Sequence, residues 1–170
     1  FTLADGTAPL NRLPSDTTNV FFAATGALAV DLATTLDQSF TINSLNFTTA
    51  TGTSPVGISP GTEMSNALTL LAANVNGNIG NRGITVASGA TSPITLSTDI
   101  ALGGDQTWHN DGAAGLVIAG SKVTGSNMQL TIDGTGDTTI GAALQLTRDV
   151  GATDQLIKAG SGKLTLTALN

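Results

Sequence analysis

The closing segment of the chain, Leu156 to Asn170, reads LIKAGSGKLTLTALN and sets two short strands around a Gly-Ser-Gly turn. Leu156 and Lys158 precede Gly160, Ser161 and Gly162, and Leu164, Leu166 and Leu169 follow with Thr165 and Thr167 between them. Alternation of apolar and polar residues with a period of two is the pattern of a half-buried strand. A unit this short cannot bury its own apolar face, so it must stack on something. The same grammar recurs upstream as ALTLL (67–71), GITVA (83–87), PITLS (93–97), GLVIAG (115–120), MQLTI (128–132) and ALQLT (143–147), each bounded by Gly, Asn, Asp or Pro.

Helix signals are poor. Glu, Lys, Gln and Arg are scarce, β-branched residues are plentiful, and Gly or Asn interrupts nearly every window of ten. Met64 to Asn74, the best helical candidate, reads better as a strand after a turn. Phe1 to Ala24 carries Pro9, Pro14 and the pair Phe21 and Phe22, which suggests an irregular N-terminal arm running into a first strand at Asn19 to Ala23. Between Thr34 and Thr49 the inward candidates are Phe40, Ile42, Leu45 and Phe47. The alternation there slips by one residue between Asn43 and Leu45, as a bend or bulge would require.

Spacing tests for a solenoid. Leu70, Ile94, Val117, Ile140 and Leu164 fall 24, 23, 23 and 24 residues apart, and Ile84, Trp108 and Leu130 fall 24 and 22 apart. Periods in the low twenties suit one turn of a parallel β-helix, three short strands and three corners to a rung. About seven rungs at about 4.8 Å each would make a rod on the order of 35 Å tall, with right-handed crossovers. The expected fold is therefore all-β, a right-handed parallel β-helix (β-solenoid), divided as 1–24 for the arm and first strand and 25–170 for the solenoid. The alternative is an antiparallel β-sandwich, which short strands and Gly-rich turns also allow.

The tail also resembles the repeat of autotransporter-associated β-strand proteins: a Leu, a Lys, a Gly-x-Gly turn, alternating Leu and Thr, and a closing Asn, matched at Leu156, Lys158, Gly160, Gly162, Leu164, Leu166 and Asn170. PSDTTNVFF (14–22), FTINSLNF (40–47), GITVASGA (83–90) and IALGGDQTWHN (100–110) are similar to the segments preceding such repeats in large bacterial surface proteins. The resemblance implies a secreted, right-handed β-helical passenger, stalk or adhesin, extracellular or on the cell surface. The chain departs from the family pattern in showing one clear copy of the terminal repeat and no translocator barrel. Its limits, Phe1 and Asn170, suggest a processed product or a segment of a longer polypeptide.

Composition narrows the partners. Charged residues make up 11% of the chain, against roughly 25% in an average soluble domain. Twelve acids face six bases, and Arg12, Arg82, Lys122, Arg148, Lys158 and Lys163 are scattered, whereas phosphate-backbone binding needs clustered positive charge. Nucleic acid is therefore not expected. Cysteine is absent, which removes disulfides, thiolate metal sites and cysteine nucleophiles together. No apolar run is long enough to cross a bilayer as a helix.

Chemistry is thinly supplied. His109, the only histidine, lies near Asp105, Trp108 and Asp111 without a nucleophile motif, and is expected to be a turn residue beside a buried Trp rather than a triad member. Asp133, Gly134, Thr135, Gly136 and Asp137 form an acidic turn that lacks both EF-hand spacing and Gly-rich calcium repeats. Turn formation is the simpler use of those residues. No metal and no cofactor are expected, and calcium, if taken, would go to Asp133 and Asp137. Polysaccharide-cleaving β-helix enzymes are the catalytic rival, but they need clustered acids, and here the nearest to stacked are Asp111 and Asp133. Trp108 is the single tryptophan and tyrosine is absent, so a sugar-binding aromatic platform is poorly provided. Phe1, Phe21, Phe22, Phe40 and Phe47 are better used as a buried cap under the first rung.

The expected role is non-catalytic: a structural subunit of the bacterial surface or matrix. Its end rungs would continue into further repeats of the polypeptide or dock head-to-tail on another copy. Lys163, Leu164, Leu166 and Leu169 form one surface, and the arm Phe1 to Leu13, with Phe1, Leu3 and Leu10, the other. An adhesin or module binding surface glycans is the alternative.

Overall fold

The structure is a computed structural model that describes residues 13–28, 32–52, 55–63, 65–147 and 155–168, apart from the side chains of 24–28 and 49–52. Its strands form three sheets. The first stacks β1 (Asn19–Leu28), β4 (Ser44–Gly52), β7 (Arg82–Val86), β10 (Gln106–Asn110), β13 (Leu130–Asp133) and β16 (Leu156–Lys158). The second stacks β2 (Leu32–Leu36), β5 (Val56–Pro60), β8 (Ile94–Leu96), β11 (Leu116–Ile118), β14 (Thr138–Ile140) and β17 (Leu164–Leu166). The third stacks β3 (Phe40–Ile42), β6 (Ala67–Leu70), β9 (Asp99–Leu102), β12 (Lys122–Ser126) and β15 (Ala143–Thr147).

Each pass of the chain visits the three sheets in turn, and every strand pair is parallel. The molecule is thus a β-solenoid of about 5 turns, and parallel pairing removes the antiparallel sandwich. Six stacked strands span about 24 Å at about 4.8 Å per step, shorter than the rod expected from a uniform period.

The period fails because rungs differ in length. Trp108 sits on Ile84 and under Ile132, 24 residues each way, but Leu116 and Thr138 are 22 apart and Leu45 and Ile84 are 39 apart. The columns expected from spacing are accordingly displaced. Leu70 belongs to the third sheet, between Ile42 and Leu102. Val117 is half-buried beside Thr95 and Thr139, Leu130 lies against Gln106, and Leu164 against Thr138. The interior columns are Val20, Leu45, Ile84, Trp108 and Ile132 in the first sheet and Ile58, Leu96, Ile118, Ile140 and Leu166 in the second. Phe40, Leu68, Ile100, Val123 and Leu144 form one in the third. Each fully buried Ile or Leu contributes roughly 1.5–3 kcal/mol.

The corners explain the polar residues inside. Asn43, where the alternation slips, is the corner between β3 and β4 and is fully buried. Its amide donates to Asn19 Oδ1 (2.7 Å) and the Ala73 carbonyl (3.0 Å), and its oxygen accepts the Ala73 N–H (2.8 Å). Gln106 and Trp108 are buried as a pair, the indole N–H donating to Gln106 Oε1 (2.9 Å) and the Gln106 amide donating to the Leu70 carbonyl (3.0 Å). Among the described residues no buried side-chain nitrogen or oxygen lacks a partner, as a low-dielectric interior demands.

Aromatics do not form the expected cap. Phe47 is buried in the column stack and lies parallel to Phe22 with ring centroids 4.9 Å apart, whereas Phe21 is 56% exposed. Phe40 is half-buried against the core and Phe1 lies outside the described residues.

Glycine sets the corner between the first and second sheets. A Cβ on Gly136 would overlap the Gly112 carbonyl, and one on Gly162 the Gly136 carbonyl, so successive corners touch backbone to backbone. Gly134 adds a φ of 103° and would drive a Cβ into the Asn110 carbonyl. Gly134→Ala is expected to destabilise the chain by about 2 kcal/mol or more in urea unfolding. Gly77→Ala, with φ 84° but open space around it, should cost only about 1 kcal/mol. Equal losses would mean that corner contact is not what demands glycine.

Candidate functional site

His109 lies within β10, not in a turn, on the outward side of the first sheet, with Thr85 below it and Asp133 above. Its Nε2 is 2.9 Å from Asp111 Oδ2 and its Nδ1 is 3.3 Å from Asp133 Oδ2. Both ring nitrogens can donate to ionised carboxylates only as the imidazolium. The His side chain is 17% exposed and the two carboxylates about a third. Asp111 is held below the ordinary carboxyl range chiefly by the backbone N–H of Thr135, then by its hydroxyl and by His109, against an opposing penalty from burial. Asp133 is lowered chiefly by the N–H of Gly134, with His109 and the charge of Arg82 adding to it and burial again opposing.

The trio is a clasp between rungs. With both ring nitrogens on carboxylates, and no hydroxyl hydrogen-bonded to His109 among the described residues, it lacks the base–nucleophile contact of a triad.

Four aspartates, Asp111 among them, share a pattern that the sequence did not expose. Asp105 accepts the N–H of Gln129 (2.7 Å), Asp111 that of Thr135 (2.9 Å), Asp99 those of Ser121 and Lys122 (2.8 and 3.1 Å), and Asp137 that of Lys163 (2.8 Å). Each carboxylate catches the corner of the following rung, a charge-assisted bond at a place where the ladder is broken. Asp133 and Asp137 are thus occupied by His109 and Gly134 in one case and by Lys163 in the other. Among the described residues no three His, Asp or Glu side chains are grouped to hold a metal ion.

The last described rung carries the residues singled out for self-association. Leu164 and Leu166 stand on Thr138 and Ile140, at the ends of two interior columns, and Leu166 is 43% exposed. Hydrogen bonds from Thr138 N–H to the Lys163 carbonyl and from Thr167 N–H to the Ile140 carbonyl fix the alternation of β17. The backbone groups of Leu164 and Leu166 therefore face away from β14. Lys163 is exposed. In the first sheet the column ends differently: Lys158 stands on Ile132, and its ammonium bonds the carbonyls of Ala159 and Gly160. Phe1, Leu3, Leu10 and Leu169 lie outside the described residues, and Leu13 is exposed.

No protein-family model, curated protein or solved structure matches this chain.

Acid titration tests the clasp. Because both carboxyls are held below the ordinary carboxylate range when folded, their contribution is fully present above that range and is lost as the pH falls through their lower folded values. Between about pH 5 and about pH 2, the native chain should lose more of its urea midpoint than the Asp111→Asn/Asp133→Asn variant. Parallel curves would show that the clasp adds no stability.

Proposed function

We propose that this chain is a non-catalytic structural module of an extracellular or cell-surface bacterial protein, a length of β-solenoid that joins end to end with further rungs. The observation that carries the reading is the second sheet's last described strand, where Leu164 on Thr138 and Leu166 on Ile140 end two interior columns and the backbone groups of both leucines face away from β14. The opposite end supplies a matching edge. Leu32 N–H bonds the Pro55 carbonyl and the Leu36 carbonyl accepts from Gly61, so the backbone groups of Ala33 and Thr35 in β2 face away from β5. Seating β17 of one chain on β2 of another would continue the sheet in parallel, a heterologous contact that does not close. Lys158 blunts the first sheet at the same end, in the way charges protect edges elsewhere. The second sheet is therefore the docking edge.

Location rests on the likeness of the tail to the autotransporter-associated repeat. The absence of catalysis rests on the engagement of His109 and the corner acids in structural bonds.

Light scattering across a concentration series and negative-stain images test assembly. The chain is expected to form linear oligomers, and Leu166→Pro, which removes an N–H facing away from β14, should leave one-chain particles with an unchanged circular dichroism spectrum. Native chains that remain monomeric at high concentration, or a proline variant that assembles as well as the native chain, would overturn the proposal.

A further inference from the structure

Three corners between the third and first sheets are short, a single residue at Asn43, 103–105 after β9 and 127–129 after β12, whereas after β6 residues 71–81 leave the stack. This excursion runs back across the lower rungs: the Asn19 amide donates to the carbonyls of Val75 and Asn76 (3.2 and 3.0 Å), and the Asn76 amide donates to that of Thr17 (2.8 Å). Three non-glycine residues within the excursion, Ala72, Asn76 and Asn81, have φ of 57°, 52° and 51°, and Ala72 is buried. Such conformations cost free energy and persist where surroundings impose them. The rung repeat needs none of this, as the shorter corners show.

The excursion walls a cavity of about 220 Å³ whose floor is the outward face of the first sheet. Phe21, 56% exposed, and Ile79, 73% exposed, supply two apolar surfaces. The amide nitrogens are spent inside the protein: Asn46 donates to the Ser44 hydroxyl (2.9 Å), Asn76 to Thr17, and Asn78 to the carbonyls of Ala73 and Arg82 (3.0 Å each). Among the described residues the oxygens of these three amides accept no hydrogen bond, and Asn46, Asn76 and Asn78 line the cavity together with Thr85 and Arg82.

From this arrangement we infer that the groove between the 71–81 excursion and the first sheet binds a neutral pyranose unit of an oligosaccharide. A pyranose offers an apolar face of C–H groups, for which Phe21 and Ile79 are suited, and a rim of hydroxyl donors, for which the amide oxygens are suited. A carboxylate sugar would meet three carbonyl oxygens for one cation, so the groove discriminates against uronates.

A printed glycan array bearing neutral and uronate oligosaccharides tests the inference, followed by calorimetry with the best neutral ligand. Neutral glycans should bind, and Phe21→Ala and Ile79→Ala, both at exposed positions, should each weaken binding tenfold or more without changing the circular dichroism spectrum. Leu166→Pro should bind as the native chain does, which separates this site from end-to-end assembly. No neutral glycan above background, binding confined to uronates, or unchanged affinity in both groove variants would overturn it.

Discussion

Parallel, in-register pairing between successive rungs is the constraint on which everything else in this chain depends. Once a residue must sit directly over its partner one rung away, columns of like side chains form inside, and Ile118 on Ile140 or Phe47 under Val86 become stacking pairs. Corners are forced into register as well. At the corner between the first two sheets the backbones come so close that Gly112, Gly136 and Gly162 follow one another. Where the ladder breaks, the N–H groups still need acceptors, and aspartates one rung back supply them. A chain with few charges thus spends Asp99, Asp105, Asp111, Asp133 and Asp137 on structure.

Strand content was legible in the sequence because it depends on local alternation. ALTLL, GITVA, PITLS, GLVIAG, MQLTI and ALQLT all contain strands, and the slip at Asn43 marks a true change of direction, the bend that forms the corner between β3 and β4. Parallel stacking was legible from the spacing, but the register was not. A mean period hides corners of different length, and the excursion at 71–81 alone moves Leu70 into another sheet from Ile94. Strands β9 and β12 carried little signal, since DIAL is short and KVTGS holds a Gly and two exposed ends.

The functional residues divide the same way. Leu164 and Leu166 were legible as inward residues of a strand because their apolar alternation is local. The clasp of His109 with Asp111 and Asp133 could not, because it joins residues 2 and 24 positions apart across a rung boundary. The signal that would have found it is the spacing shared by Asp105 with Gln129 and Asp111 with Thr135, 24 residues in both cases. Phe21 was placed inside on hydropathy, yet alternation with buried Val20 and half-buried Phe22 turns it outward beside Asn46. Once it faces out, it becomes part of the groove.

Residue-on-residue stacking is open to a direct chemical test, since the chain contains no cysteine. Thr107 and Thr131 are register partners, while Thr107 and Ile157 stand two rungs apart. One rung of about 4.8 Å lies within disulfide reach and two rungs do not. Under mild oxidation, Thr107→Cys/Thr131→Cys is expected to close within one chain and Thr107→Cys/Ile157→Cys to remain reduced. Closure of the second pair, or failure of the first, would contradict the stacked register.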